Sequence, residues 1–210
     1  MRKKIVFAVL ILFLPAISYG QLVTIAISGQ VNYMWQDSRN PLGNAISIGD
    51  SVTGTYTYDS EAVDSNPSLE SGLYYHSNSL YGISLYIGGL NFKTDPTNVD
   101  FLVSVGNWSS GTDNYGLLSY RNLPLSNGAL VDEISWQLTD PTGTALSNDV
   151  LPLIAPDLSK WHSNGLTIDS DRESGFRIGA RITSATLVPE PISILLFGLG
   201  MMLARKHFSK

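Results

Sequence analysis

The sequence predicts an all-β protein whose central region, residues 21–188, folds as a single antiparallel β-sandwich of jelly-roll-like form. Apolar and polar residues alternate with a period of two in several short segments, as is typical of half-buried strands. Glycine, asparagine and aspartate separate these segments at intervals of roughly 8 to 20 residues, as in known sandwiches. No segment shows a convincing amphipathic helix. The stretch 151–161 could hold one helical turn, but Pro152 and Pro156 limit it.

The strands are expected in order along this region. The first has an apolar face that includes Val23, Ile27 and Tyr33. The expected strands are residues 23–33, 52–58, the segment that ends with His76, 81–87, 99–105, 115–121, 134–138 and 176–182. Trp136 alternates with Ile134 and Leu138, so we expect it in the core.

The first twenty residues have the three parts of a secretory signal peptide. Residues 2–4 are basic, residues 5–17 are apolar, and the small Ser18 and Gly20 precede the expected cleavage after Gly20. The alternative is an uncleaved N-terminal anchor, but the apolar stretch is short for a membrane span. The sequence therefore predicts export and processing by signal peptidase.

Charge and cysteine content exclude several classes of function. Between the two ends, residues 21–188 hold seven basic and seventeen acidic residues. Such an acidic domain lacks the clustered Lys and Arg that nucleic-acid binding requires. The chain contains no cysteine, which excludes disulfide bonds, thiol catalysis and thiolate metal sites. A region of this length suffices for one domain that is stabilised by its hydrophobic core alone.

The last residues read as a tail directed to a membrane. A rigid motif, an uncharged apolar run and a basic pair follow one another, as Pro189, Glu190 and Pro191, then residues 192–204, then Arg205 and Lys206. As a helix the apolar run would span roughly 20 Å, which is short for a hydrocarbon core of about 30 Å. The alternative is a buried terminal helix, but the run is apolar on all sides and contains two glycines.

This three-part tail resembles the PEP-CTERM sorting signal of exported bacterial proteins, and it covers about a tenth of the chain. The resemblance implies recognition by an exosortase, a membrane transpeptidase-like enzyme, with cleavage near the Pro-Glu-Pro motif. Residues 54–59, 64–67 and 181–186 also resemble, more loosely, segments common in proteins that carry this signal. The resemblance implies export across the inner membrane, transient anchoring by the tail, and then a place at the cell surface or outside the cell. It implies no activity for the central domain.

Two acidic segments are candidate calcium sites, because Ca²⁺ takes carboxylate and carbonyl oxygens as ligands. The candidate ligands are Asp59, Glu61 and Asp64 in one segment, and Asp169, Asp171 and Glu173 in an expected loop before Gly175. The alternative is that these aspartates stabilise turns by accepting bonds from nearby backbone amides. Apart from this candidate calcium ion, the sequence predicts no cofactor.

Three tryptophans are candidate carbohydrate contacts, because they fall in expected loops near polar residues. They are Trp35, Trp108 and Trp161. An indole ring can stack on a sugar while neighbouring polar groups orient the sugar by hydrogen bonds. The alternative is that these rings pack over the ends of the sandwich.

The motifs of common hydrolases are absent from the sequence, which contains neither HExxH nor GxSxG. We therefore expect a non-enzymatic protein of the cell surface or extracellular matrix, with an adhesive or carbohydrate-associated β domain. Its expected partners are the two processing enzymes, the membrane and an exopolysaccharide. The alternative is a secreted glycoside hydrolase, which would need two carboxylates that flank a sugar cleft.

Overall fold

The computed structural model describes residues 22–170 and 175–189, in which the chain forms ten β-strands and one short 3-10 helix. The strands are β1 (Leu22–Gln36), β2 (Ser51–Asp59), β3 (Ser71–His76), β4 (Gly82–Ile87), β5 (Leu90–Lys93), β6 (Phe101–Trp108), β7 (Thr112–Ser119), β8 (Glu133–Asp140), β9 (Ser163–Ser170) and β10 (Phe176–Leu187), and the helix is Leu158–Lys160. Each paired strand runs antiparallel to its neighbour. The prediction of an all-β, antiparallel domain is confirmed.

Two strands have no counterpart among the predicted ones. Strand β5 has only four residues and follows β4 after the two-residue turn at Gly88 and Gly89, so its alternation is too short to recognise. Strand β9 has only Leu166 and Ile168 as buried apolar residues. This sparse pattern is too weak to recognise as a strand. Asp169 lies within β9 and not in the acidic loop that the sequence suggested.

The ten strands form one continuous sheet in the order β3-β6-β7-β8-β9-β10-β1-β2-β4-β5. Strand β1 connects the two halves, because it pairs with β10 on one side and with β2 on the other. Its register against β10 shifts at Ser28/Gly29 and at Val31/Tyr33, and such irregularities let a strand bend. Strands β6 to β10 follow one another as neighbours, so the connections are those of a meander and not of the predicted jelly roll.

The sheet folds so that its two halves face each other across the core. Trp136 of β8 contacts Tyr56 of β2 edge to face, with ring centroids 5.8 Å apart, although three strands separate β8 from β2 in the sheet. Phe92 of β5 and Phe176 of β10 make a similar contact at 6.3 Å. Trp136 has no exposed surface, which confirms its predicted place in the core.

Two long connections cover the ends of this core. In residues 37–50, Leu42 and Ile46 are buried. In residues 141–162, Leu151 is buried, and the backbone carbonyl of Asp149 accepts a 2.8 Å hydrogen bond from the Tyr74 hydroxyl. These contacts hold both connections against the sheet.

The two ends of the described domain lie side by side. Ile25 near the start of β1 pairs with Leu187 at the end of β10, and the Val188 amide donates to the Thr24 carbonyl at 2.8 Å. The segments that precede and follow the domain therefore leave from the same end of β1. Across the described residues, the structure contains no helix with the length and apolar character needed to cross a membrane.

Candidate functional site

Two exposed aromatic rings lie on the outer face of β1, and we call Tyr33 and Trp35 the aromatic strip. Side chains two apart along a strand share a face, while Met34 between them packs against the core. Tyr33 and Trp35 are each 50% exposed. The strip therefore offers two large apolar rings to the solvent at neighbouring positions.

Glycines on β10 and just before it allow these rings to lie against the backbone. A Cβ atom added to Gly175 would stand 3.2 Å from Cη2 of Trp35, and one added to Gly179 would stand 3.0 Å from Cβ of Tyr33. Gly179 is also the cross-strand partner of Tyr33. The backbone therefore lies directly against the Trp35 ring and against Cβ of Tyr33, where a larger residue would collide with them.

A row of charged groups continues from the strip across the sheet. Trp35 is the partner of Arg177, Arg177 of Asp169, and Asp169 of Glu133, so the row crosses β1, β10, β9 and β8. Nε of Arg177 donates to Oδ2 of Asp169 at 2.8 Å, and Nη2 donates to the same oxygen. The arginine thereby offsets part of the repulsion between two neighbouring carboxylates.

A second row of small and hydroxyl residues runs beside the charged one. Tyr33 pairs with Gly179, Gly179 with Thr167, and Thr167 with Ser135. These side chains are short, so this row lies low between the tyrosine ring and the charged row. The surface combines apolar rings with several hydrogen-bonding groups.

An ion pair borders the strip at the end of β1. The Asp37 carboxylate accepts bonds from the Arg39 side chain, including one from Nε at 2.8 Å, and the Asp37 amide donates to the Gly175 carbonyl at 2.9 Å. The Arg39 guanidinium holds the pKa of Asp37 below its usual value. Asp37 is therefore ionised at neutral pH and orients Arg39 beside the strip.

The three tryptophans singled out in the sequence do not form one site. Trp35 lies within β1 and not in a loop, and it belongs to the strip. Trp108 is 40% exposed at the end of β6, where its indole packs beside Gly106, and β6 is five strands from β1 in the sheet. Trp161 is only 8% exposed and belongs to the hydrophobic core, as the packing alternative expected.

The first acidic segment uses its carboxylates in turns. Asp59 accepts from the Glu61 amide at 2.9 Å, and Asp64 accepts from the Asn66 amide at 2.8 Å and from the Leu73 amide at 2.9 Å. These bonds are the ones that the turn alternative expected. In the part of the chain that the structure describes, no group of three or more His, Cys, Asp or Glu side chains is arranged to hold a metal ion.

The other predicted residues lie partly outside the described ranges. Asp169 binds Arg177, as given above, whereas Asp171 and Glu173 fall in the segment 171–174, which is not described. Pro189 is described and exposed. The signal peptide at 1–20 and the remaining sorting residues, namely Glu190, Pro191, Arg205 and Lys206, lie outside the described residues.

A shallow groove lies on the outer face of the other half of the sheet. Its volume is about 350 Å³, and its lining includes Thr55, Thr57, Ser84 and Lys93. Thr55 pairs with Ser84, and Ser84 with Lys93, so hydroxyl groups and one ammonium group share a row across β2, β4 and β5. This groove offers hydrogen bonds and one aromatic side chain, Tyr81, whereas the strip offers two half-exposed rings.

Sequence reasoning found Trp35 but missed Tyr33, Arg177 and Glu133 as parts of the same surface. The alternation from Val23 to Val31 predicted Tyr33 on the buried face, and this was wrong, because the register shift between Val31 and Tyr33 turns Tyr33 and Trp35 to the outer face. Arg177 joins the strip only through the β1–β10 pairing, which no local pattern reveals. Neither a family model, nor a curated protein, nor a solved structure matches this chain.

Proposed function

We propose that the protein is an exported, non-enzymatic protein of the cell surface or extracellular matrix whose β domain binds a polysaccharide through the aromatic strip. The observation that carries this proposal is the pair of half-exposed rings, Tyr33 and Trp35, seated on glycine backbone beside Arg177. A pyranose ring has an apolar face and a rim of hydroxyl groups. It therefore matches a surface in which aromatic rings adjoin hydrogen-bonding side chains.

The position of the strip suits this role. Trp35 is eleven residues beyond Thr24, where the end of β10 lies, so roughly 35 Å of strand separate the strip from the point where the tail leaves. If the tail holds the protein at a membrane, the strip lies at the far end of β1. A polysaccharide outside the cell could then reach the strip during transient anchoring as well as after release.

The charge of the domain favours a neutral saccharide as the ligand. Residues 21–188 carry ten more acidic than basic residues, and Glu133 and Asp169 stand in the row beside Trp35. A polyanionic chain would be repelled by this field. Neutral hexose polymers are therefore the first ligands to test.

Binding of the purified full chain in mild detergent to an array of neutral and acidic glycans tests the proposal. We expect binding to neutral glycans and a loss of about tenfold or more in Trp35→Ala and Tyr33→Ala, because truncation of a central aromatic anchor usually costs at least 1.4 kcal/mol. Trp108→Ala is the matched control, since it removes a comparably exposed tryptophan from a distant strand. Equal losses in Trp35→Ala and Trp108→Ala, or no binding by the unaltered protein, would contradict the proposal.

The sorting part of the proposal rests on the resemblance of the tail, with Pro189–Glu190–Pro191 as the recognition motif and Arg205 and Lys206 as the basic end. Intact-mass analysis of the protein from hosts with and without an exosortase tests it. We expect a mature C-terminus near the Pro-Glu-Pro motif only when the exosortase is present. A C-terminus at Lys210 in both hosts would refute exosortase processing.

A second candidate function is glycoside hydrolysis, and one observation favours it. Glu133 and Asp169 are cross-strand partners beside the strip, so two carboxylates stand on neighbouring strands, and a glycoside hydrolase requires a pair of carboxylates at its site. We rank this function second because the Asp169 carboxylate already accepts hydrogen bonds from Arg177, which makes it less available for catalysis. Release of reducing sugar that disappears in Glu133→Gln, while binding persists, would establish the enzyme instead.

A further inference from the structure

Two buried aspartates face one another at the end of the core that residues 141–162 cover. Asp113 of β7 and Asp140 of β8 are cross-strand partners and share the inward face with Tyr115 and Leu138. Asp113 has no exposed surface, and Asp140 is 3% exposed. Cross-strand partners hold their Cβ atoms about 4.5–5.5 Å apart, so two carboxyl groups lie close together away from water.

Asp140 is fully hydrogen-bonded to the segment that follows β8. Its carboxylate accepts from the backbone amides of Thr142, Thr144 and Ala145 at 3.0, 2.8 and 3.2 Å. The Thr142 and Thr144 hydroxyls donate to it as well. Both carboxylate oxygens of Asp140 are therefore already engaged by residues 142–145.

Asp113 is only half satisfied. Its Oδ2 accepts from the Leu146 amide at 2.7 Å, but its Oδ1 is fully buried and has no hydrogen-bond partner among the described residues. Buried carboxylates are otherwise paired with a cation or bound to a metal.

A further oxygen-bearing side chain stands next to Asp113 on the same face. Asn107 of β6 is the other cross-strand partner of Asp113. The order Asn107, Asp113, Asp140 thus places an amide and two carboxyl groups in one row across three neighbouring strands. Amide and carboxylate oxygens are ligands that Ca²⁺ prefers.

We propose that Oδ1 of Asp113 is a ligand of a bound Ca²⁺ ion, with the amide oxygen of Asn107 beside it and Asp140 supplying the second nearby negative charge. Backbone or hydroxyl oxygens of residues 140–146 and water would complete the coordination. A divalent ion matches the two carboxylates in charge. Ca²⁺ also tolerates irregular geometry, whereas Mg²⁺ demands a near-ideal octahedron. The site is distinct from the two acidic segments that the sequence suggested.

Thermal unfolding of the full chain in EDTA and in 10 mM CaCl₂ at constant ionic strength tests the proposal. Extracellular calcium modules bind with dissociation constants of about 10⁻⁴–10⁻³ M, so we expect the Tm to rise by about 3 to 6 °C or more. Asp113→Asn should abolish the rise while it preserves side-chain volume. Asp59→Asn and Asp169→Asn are matched controls in the two other acidic segments and should keep the rise.

Equilibrium dialysis with radioactive calcium provides a second measurement, and its result for the unaltered protein does not depend on the folding of a variant. We expect one bound ion per chain in the unaltered protein and in both controls, and none in Asp113→Asn. An unchanged Tm with calcium, or a rise of the same size in Asp113→Asn, would overturn the proposal. Loss of the bound ion in Asp169→Asn alone would also overturn it, because the ion would then belong to the other acidic segment.

Discussion

The indole of Trp136 meets the ring of Tyr56 edge to face at a centroid distance of 5.8 Å, and its Nε1–H donates to Oδ1 of Asn164 at 2.9 Å. This single side chain therefore connects the two facing halves of the sheet. Tyr115 packs against the same indole at 6.3 Å. The residue combines burial, aromatic contact and a satisfied polar group at the centre of the core.

Trp136→Ala should destabilise the fold by about 3–5 kcal/mol, the usual cost of removing a large buried aromatic side chain. Urea denaturation followed by circular dichroism measures the free energy of unfolding. Trp108→Ala, at an exposed position, should stay within about 0.5 kcal/mol of the unaltered protein. Similar values for the two variants would show that Trp136 does not hold the halves together.

The Arg177–Asp169 ion pair should contribute little to stability. The arginine side chain is 51% exposed, and exposed pairs typically contribute about 0–1 kcal/mol. A double-mutant cycle with Arg177→Ala and Asp169→Asn should therefore give a coupling energy below about 1 kcal/mol. A coupling above 2 kcal/mol would show that the pair is more strongly desolvated than its exposure indicates.

Stability should fall as the pH is lowered through the histidine range. His76 is 4% exposed and packs against Tyr81 and Phe101, and burial lowers its pKa from the usual 6.5. As the pH falls below about 6.5, His76 binds a proton in the unfolded chain but not yet in the folded chain. The free energy of unfolding therefore decreases as the pH is lowered through this range.

Urea midpoints at pH 7.5 and pH 5.5 test this prediction. His76→Phe keeps an aromatic ring but removes the titrating group, so its midpoint should change less between the two pH values. An identical decrease in both proteins would assign the effect to other groups.

Gly175→Ala should weaken glycan binding through Trp35. The added methyl would stand 3.2 Å from Cη2 of Trp35 and 3.2 Å from Oδ2 of Asp37, so the indole must move by a few tenths of an ångström. We expect binding to weaken by roughly threefold to tenfold, since about 0.7–1.4 kcal/mol corresponds to that range. Gly165→Ala is the control, because a methyl there meets nothing within 4 Å. Equal binding by both variants would mean that the contact between Gly175 and Trp35 does not affect glycan binding.

Much of the local structure could be predicted from alternation. The strands around Tyr56, Val103 and Trp136 appear close to their expected positions, because one buried and one exposed face impose a period of two. Strand β9 escaped notice because only Leu166 and Ile168 alternate, and Asp169 at its end looked like part of a loop. This strand forms because it pairs with β8 and β10 on its two sides. Such pairing cannot be predicted from the sequence of a single segment.

The sequence by itself determined the all-β class and the burial of Trp136, because these follow from the spacing of apolar side chains along the chain. It also supplied the resemblance of the tail to a sorting signal. Only the tertiary structure decided that Trp35 shares a surface with Arg177, that Trp161 lies in the core, and that Asp113 faces Asp140. Those relationships depend on which strands become neighbours, and neighbours such as β1 and β10 come from opposite ends of the domain. Pairing over such distances is settled by the packing of the whole core, so no local segment contains it.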